Sequence, residues 1–81
     1  QLFVTDKQWA EWFKSDLNCP PYLVNDSATR QLFRRWVVTN VTTDEVEAAT
    51  ERAIKAGEAP HPAVLHDHLK NQRVEKLRAL A

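Results

Sequence analysis

Residues 5–17 read TDKQWAEWFKSDL, and the stretch carries its own helix signals. Thr5 stands where an N-cap belongs, and Gln8 follows three residues later, which is the spacing of a capping box. Trp9, Trp12, Phe13 and Leu17 recur at helical intervals and form one apolar stripe, with Lys14 and Asp16 outside it. Val4 is placed to staple against Trp9 across the helix start. The expectation is a helix near 6–17. It ends before Asn18-Cys19-Pro20-Pro21, because a proline has no amide hydrogen and disfavours helical geometry in the residue before it.

Downstream, residues 18–27 read as a connector, with Tyr22, Leu23 and Val24 packing under it as an extended segment. A second helix is expected near 28–39, capped by Asp26 or Ser27, with Ala28, Leu32, Phe33, Trp36 and Val37 inward. Asn40 suits a left-handed helix end. Thr42 and Glu45 have capping-box spacing and open a third helix near 43–56. Its stripe is Val46, Ala49, Ala53 and Ile54. Thr50 shares that face, where its hydroxyl can bond back to a carbonyl one turn earlier. Gly57 fits the position past the helix end. Pro62 suits the first turn of a fourth helix near 62–80, with Leu65 and Leu69 inward and Val74, Leu77 and Leu80 at a shifted phase. The predicted architecture is therefore all-α, a compact four-helix domain spanning 1–81.

Composition narrows the function. The 81 residues suffice for one domain, and a chain this short has little room for a deep enclosed pocket. A single glycine argues against an all-β fold and against a glycine-rich phosphate loop. Cys19 has no partner for an internal disulfide, which points to a cytoplasmic protein. No apolar run is long enough to span a membrane. The first residue is Gln1 rather than Met, so a piece of a longer protein is expected.

Catalytic constellations are missing from the pattern. His66 and His68 are two residues apart, so they leave a helix on different sides, and His61 precedes it. No metal or cofactor is expected. Cys19 lacks a marked base, and the carboxylates that open the third helix are explained by capping and the helix dipole. The expectation is a protein that is not an enzyme.

Charge patterning supplies the candidate site. There are 11 basic and 11 acidic residues, so no general basic footprint exists. Residues 42–58 are locally acidic, with Asp44, Glu45, Glu47, Glu51 and Glu58 against Arg52 and Lys55. Residues 70–78 are locally basic, with Lys70, Arg73, Lys76 and Arg78 against Glu75. Arg30 and Arg34 are four apart on the second helix with Arg35 beside them, a face able to hold phosphates or an acidic partner. Lys70 and Arg73 mark the basic end of the fourth helix. Trp9, Trp12, Phe13 and Trp36 could stack bases, but their spacing favours the core. The short link between the second and third helices has helix-turn-helix proportions. Yet the third helix opens with Asp44, Glu45 and Glu47, which repel phosphate.

Residues 32–72 resemble helical replication modules. The resemblance rests on Leu32-Phe33-Arg34-Arg35-Trp36, then Val41-Thr42-Thr43-Asp44-Glu45-Val46, Ala49, Pro60-His61-Pro62, Leu65 and Leu69. This looks like the layout of DnaD/DnaT-like domains, and phage lambda replication protein P is similar. The resemblance implies a plasmid- or phage-type helicase-loading role, with DNA and a replication protein as partners. It places nucleic-acid contact on Arg30, Arg34, Arg35 and Lys70. The alternatives are a helix-turn-helix regulator or partition protein, and a protein–protein adaptor or oligomerisation domain.

Overall fold

The computed structural model describes residues 1–81 and is all-helical. Five helices follow in order: α1 (Asp6–Asp16), α2 (Pro21–Val24), α3 (Ser27–Val38), α4 (Thr43–Lys55) and α5 (Pro62–Leu80). Four of them stand where the sequence predicts. The fifth, α2, is a single turn inside the connector that was expected to be extended. Pro21 occupies its first position, where a missing amide hydrogen is no loss, and Val24 is fully buried. Amide bonds from Val24 to the Pro20 carbonyl at 3.2 Å and from Asn25 to the Pro21 carbonyl at 3.0 Å close the turn. By contact the chain falls into two compact units, Gln1–Thr43 and Asp44–Ala81.

The first unit is organised by rings. Thr5 accepts a hydrogen bond from the Gln8 amide at 3.1 Å, and Gln8 Oε1 accepts one from the Thr5 amide at 3.2 Å, so the capping box forms. Val4 does not staple the helix; its side chain is 70% exposed. Phe3 takes that place, edge-on to Trp9 at 4.8 Å. Phe3 can turn inward because the segment before α1 runs beside the start of α4: Leu2 bridges Thr42, and the Thr43 amide donates to the Gln1 carbonyl at 2.9 Å. Trp9 also meets Trp36 at 5.2 Å, and Phe13 meets Phe33 at 5.2 Å. These four side chains are fully or almost fully buried, so α1 and α3 are held by interlocking aromatic faces and edges. The Trp9 indole nitrogen finds no acceptor there, a cost that the packing has to exceed.

On α3, Asp26 rather than Ser27 is the cap, accepting from the Ala28 and Thr29 amides. The inward set also differs from the expectation. Phe33 and Trp36 are buried and Leu32 and Val37 only half-buried, while Ala28 is exposed and Thr29 buried in its stead. Thr29 lies one residue further along and on the same side as Phe33 and Trp36, at spacings of four and seven. Asn40 is left-handed at φ 57. The Val41 amide reaches the Trp36 carbonyl at 2.9 Å and the Asn40 amide reaches that of Val37 at 3.3 Å, which is a Schellman ending. Cys19 is buried, and burial pushes its thiol pKa up.

In the second unit the buried side chains are smaller. Val46, Ala49 and Ala53 are fully buried on α4, and Leu65 and Leu69 are buried on α5. Thr50 Oγ1 donates to the Val46 carbonyl at 2.8 Å, as its place on the inward face requires. Ile54 was expected on that face and is instead 60% exposed. It sits 100° round the helix from Ala53, just outside the stripe. Gly57 (φ 75) closes α4 with a second Schellman pair, Glu58 amide to Ala53 carbonyl and Gly57 amide to Ile54 carbonyl. Bidentate pairs then link the two helices: Arg73 to Glu45 at 2.9 and 3.1 Å, and Arg52 to Glu75 at 2.9 and 3.4 Å. The helix α5 continues to Leu80, but Val74, Leu77 and Leu80 are exposed. No helix is long and apolar enough to cross a membrane.

Candidate nucleic-acid interface

The five basic residues singled out by sequence fall into two groups. Arg30, Arg34 and Arg35 lie on α3 in the first unit, and Lys70 and Arg73 lie on α5 in the second. Within each group the environments differ, and the differences decide which cations are available.

Asp6 opens α1, where a carboxylate is favoured by the helix dipole. It draws in two of the three arginines. Arg30 Nε donates to Asp6 Oδ2 at 3.0 Å, and Arg34 Nε stands 3.6 Å from the same oxygen. Arg30 also donates to Asn25 Oδ1 at 3.3 Å. Partial burial works to raise the Asp6 pKa, but the hydrogen bond and charge of Arg30, with the charge of Arg34, hold it below its ordinary 3.8. Arg30 is therefore a structural cation that ties the start of α1 to α3. Arg34 keeps 62% of its side chain exposed and spends only a long, monodentate contact on Asp6. Arg35 is exposed and makes no ion pair. Val38, 80% exposed, lies one turn beyond both.

The α5 pair divides in the same way. Lys70 is exposed and only loosely associated with Asp67, at 3.7 Å. Arg73 is committed to Glu45 by its two hydrogen bonds, which raise its pKa. The Gln72 amide nitrogen reinforces the arrangement by donating to the Glu45 carbonyl at 3.2 Å. A guanidinium already holding a carboxylate bidentately has to surrender that pair before it can hold a phosphate.

Of the aromatics, Trp9, Phe13 and Trp36 are buried and cannot stack a base. Trp12 is half-buried and lines an open, mainly apolar groove of about 370 Å³ with Phe3, Lys7, Gln8, Glu11 and Ser15. Sequence periodicity puts Trp12 in the core stripe. Its place at the flank of that stripe, one residue before Phe13, is the signal that it would reach the surface. The histidines do not converge. His68 Nε2 lies 2.7 Å from Glu58 Oε1, holding the loop after α4 against α5, and His61 is the residue before α5.

No protein-family profile matches the chain, and neither does any curated protein or solved structure.

Proposed function

We propose that the chain is a noncatalytic binding module of a plasmid- or phage-type DNA replication protein, contacting DNA through the outer face of α3. The observation that carries the reading is the pairing of Arg34 and Arg35. They are adjacent, exposed cations on a helix fixed from behind by Phe33 and Trp36, and anchored at its start by the Arg30–Asp6 pair. A rigid backbone lowers the entropy lost when long side chains settle on phosphates. Lys70 is a further exposed cation for the same ligand class. Arg30 and Arg73 are placed by their carboxylate partners in supporting roles. The replication assignment rests on the resemblance of residues 32–72 to helicase-loading modules, and a replication protein partner belongs to the same reading.

Fluorescence anisotropy with labelled single- and double-stranded DNA at two salt concentrations tests it. Two phosphate contacts predict a log–log salt slope of roughly −1.4 on single strands and −1.8 on duplex. Arg34→Glu with Arg35→Glu should abolish that binding while leaving the circular dichroism unchanged. Absence of binding to both DNA forms at low salt would sink the proposal.

A further inference from the structure

The last two turns of α5 carry an apolar stripe that nothing in the chain covers. Val74, Leu77 and Leu80 are 44, 67 and 79% exposed. At 3.6 residues per turn Val74 and Leu77 point about 160° and about 100° away from the mean direction of Leu65 and Leu69. Leu80 comes back to within about 40° of that direction, yet it is the most exposed of the three. Beside the stripe, Glu45, Arg73, Lys76, Leu77 and Leu80 line an open groove of about 400 Å³. Lys76 and Arg78 flank Leu77 on either side, and neither makes an ion pair within the chain.

The complement of this surface is on α4. Asp44, Glu47, Glu51 and Ile54 follow one another at spacings of three and four. The three carboxylates lie on the helix face opposite the buried Val46, Ala49 and Ala53, and Ile54 lies at the edge of that face, between it and the buried stripe. All four are exposed, and the three carboxylates make no ion pair. The face is therefore acidic with one apolar side chain at its end, and the α5 surface is apolar with cations on both flanks.

We infer that this chain self-associates, the end of α5 of one copy lying along the outer face of α4 of a second. Ile54 enters the groove beside Leu77 and Leu80, and Glu47 and Glu51 meet Lys76 and Arg78. The pairing is reciprocal, because each copy supplies one of each surface, as a two-fold interface requires. Pairing α5 with α5 instead would set Lys76 and Arg78 against their own kind. A nucleic acid would match the cations and leave the apolar stripe without a partner. A zero net charge removes the long-range repulsion that otherwise opposes association. The inference stands on different residues from the α3 reading and does not depend on it.

Sedimentation equilibrium on the whole chain, from about 10 μM to 1 mM to suit an interface of small area, tests it. The average mass should rise from monomer toward dimer with concentration and fall back with added salt. Leu77→Glu with Leu80→Glu should abolish the rise, and both positions are exposed enough for the fold to survive, as circular dichroism would verify. Lys76→Glu with Arg78→Glu, and separately Glu47→Lys with Glu51→Lys, should each weaken the dimer by about tenfold or more. Mixing these two charge variants makes both contacts attractive again, so a 1:1 heterodimer should form with near wild-type affinity. A wild-type chain that stays monomeric throughout, or charge variants that fail to recover on mixing, would overturn the inference.

Discussion

The two units solve the same problem with different materials. In Gln1–Thr43, aromatic side chains supply large apolar areas and directional ring contacts, from Phe3 through Trp9 and Phe13 to Phe33 and Trp36. In Asp44–Ala81, the buried side chains are valine, alanines, a proline and two leucines. There the cross-helix bonds are mainly ionic, Glu45–Arg73 and Arg52–Glu75, with one neutral bond from the Gln72 side-chain amide to the Glu45 carbonyl. Rings in a core are insensitive to salt and costly to remove. Half-exposed ion pairs are screened by salt and individually weak. The contrast assigns rigidity to the unit that carries Arg34 and Arg35, and adjustability to the one that carries the uncovered end of α5.

The largest effect that could break this contrast is loss of a ring. Phe33→Ala should cost about 3–5 kcal/mol, since it opens a cavity under both Phe13 and Trp36. For a domain of this size that is a large share of the total stability. Urea unfolding followed by tryptophan fluorescence measures it. A loss under about 1 kcal/mol would mean that the rings are not packed as described.

A smaller effect is expected on the other side. Arg73→Ala removes a bidentate pair whose partners keep 38 and 30% of their side-chain exposure. Solvent screening limits that pair to about 1 kcal/mol or less. The loss should shrink further when the urea series is repeated in high salt. If Arg73→Ala proved as costly as Phe33→Ala, the ionic contacts would be integral to the fold and the contrast would fail.

How much of this was legible in advance follows the same division. Local signals were strong, and they marked four helices: the Thr5–Gln8 box, Asn40, Gly57 and Pro62 all act as their chemistry demands. The single turn at Pro21–Val24 was not legible, because four residues carry no periodicity. Phe3 replacing Val4 was not legible either, since it depends on the Leu2–Thr42 bridge, a contact across forty residues of sequence. The candidate site was half legible. Sequence spacing placed Arg30, Arg34 and Arg35 on one helix, but only tertiary structure shows Asp6 claiming Arg30. Likewise Glu45 claims Arg73 from a different helix, while Lys70 stays exposed.

The smallest expected effect concerns Asp6, and it sharpens the assignment of roles among the arginines. Its carboxyl pKa lies below the ordinary 3.8 in the folded chain. A depressed carboxylate stabilises the fold above the unfolded pKa, and the contribution disappears as pH falls through the folded value. Asp6→Asn should thus lower stability at neutral pH by roughly 1 kcal/mol or less, since the pair is partly exposed. The difference between variant and wild type should close in acid, below 3.8. The same substitution releases Arg30 and Arg34 from their shared partner. On the proposed reading DNA binding should then tighten, since two guanidiniums no longer divide their charge with a carboxylate. An Asp6→Asn chain that folds normally yet binds DNA more weakly would show that the carboxylate orients Arg34 for binding, and would move Asp6 from a competitor for the site to a part of it.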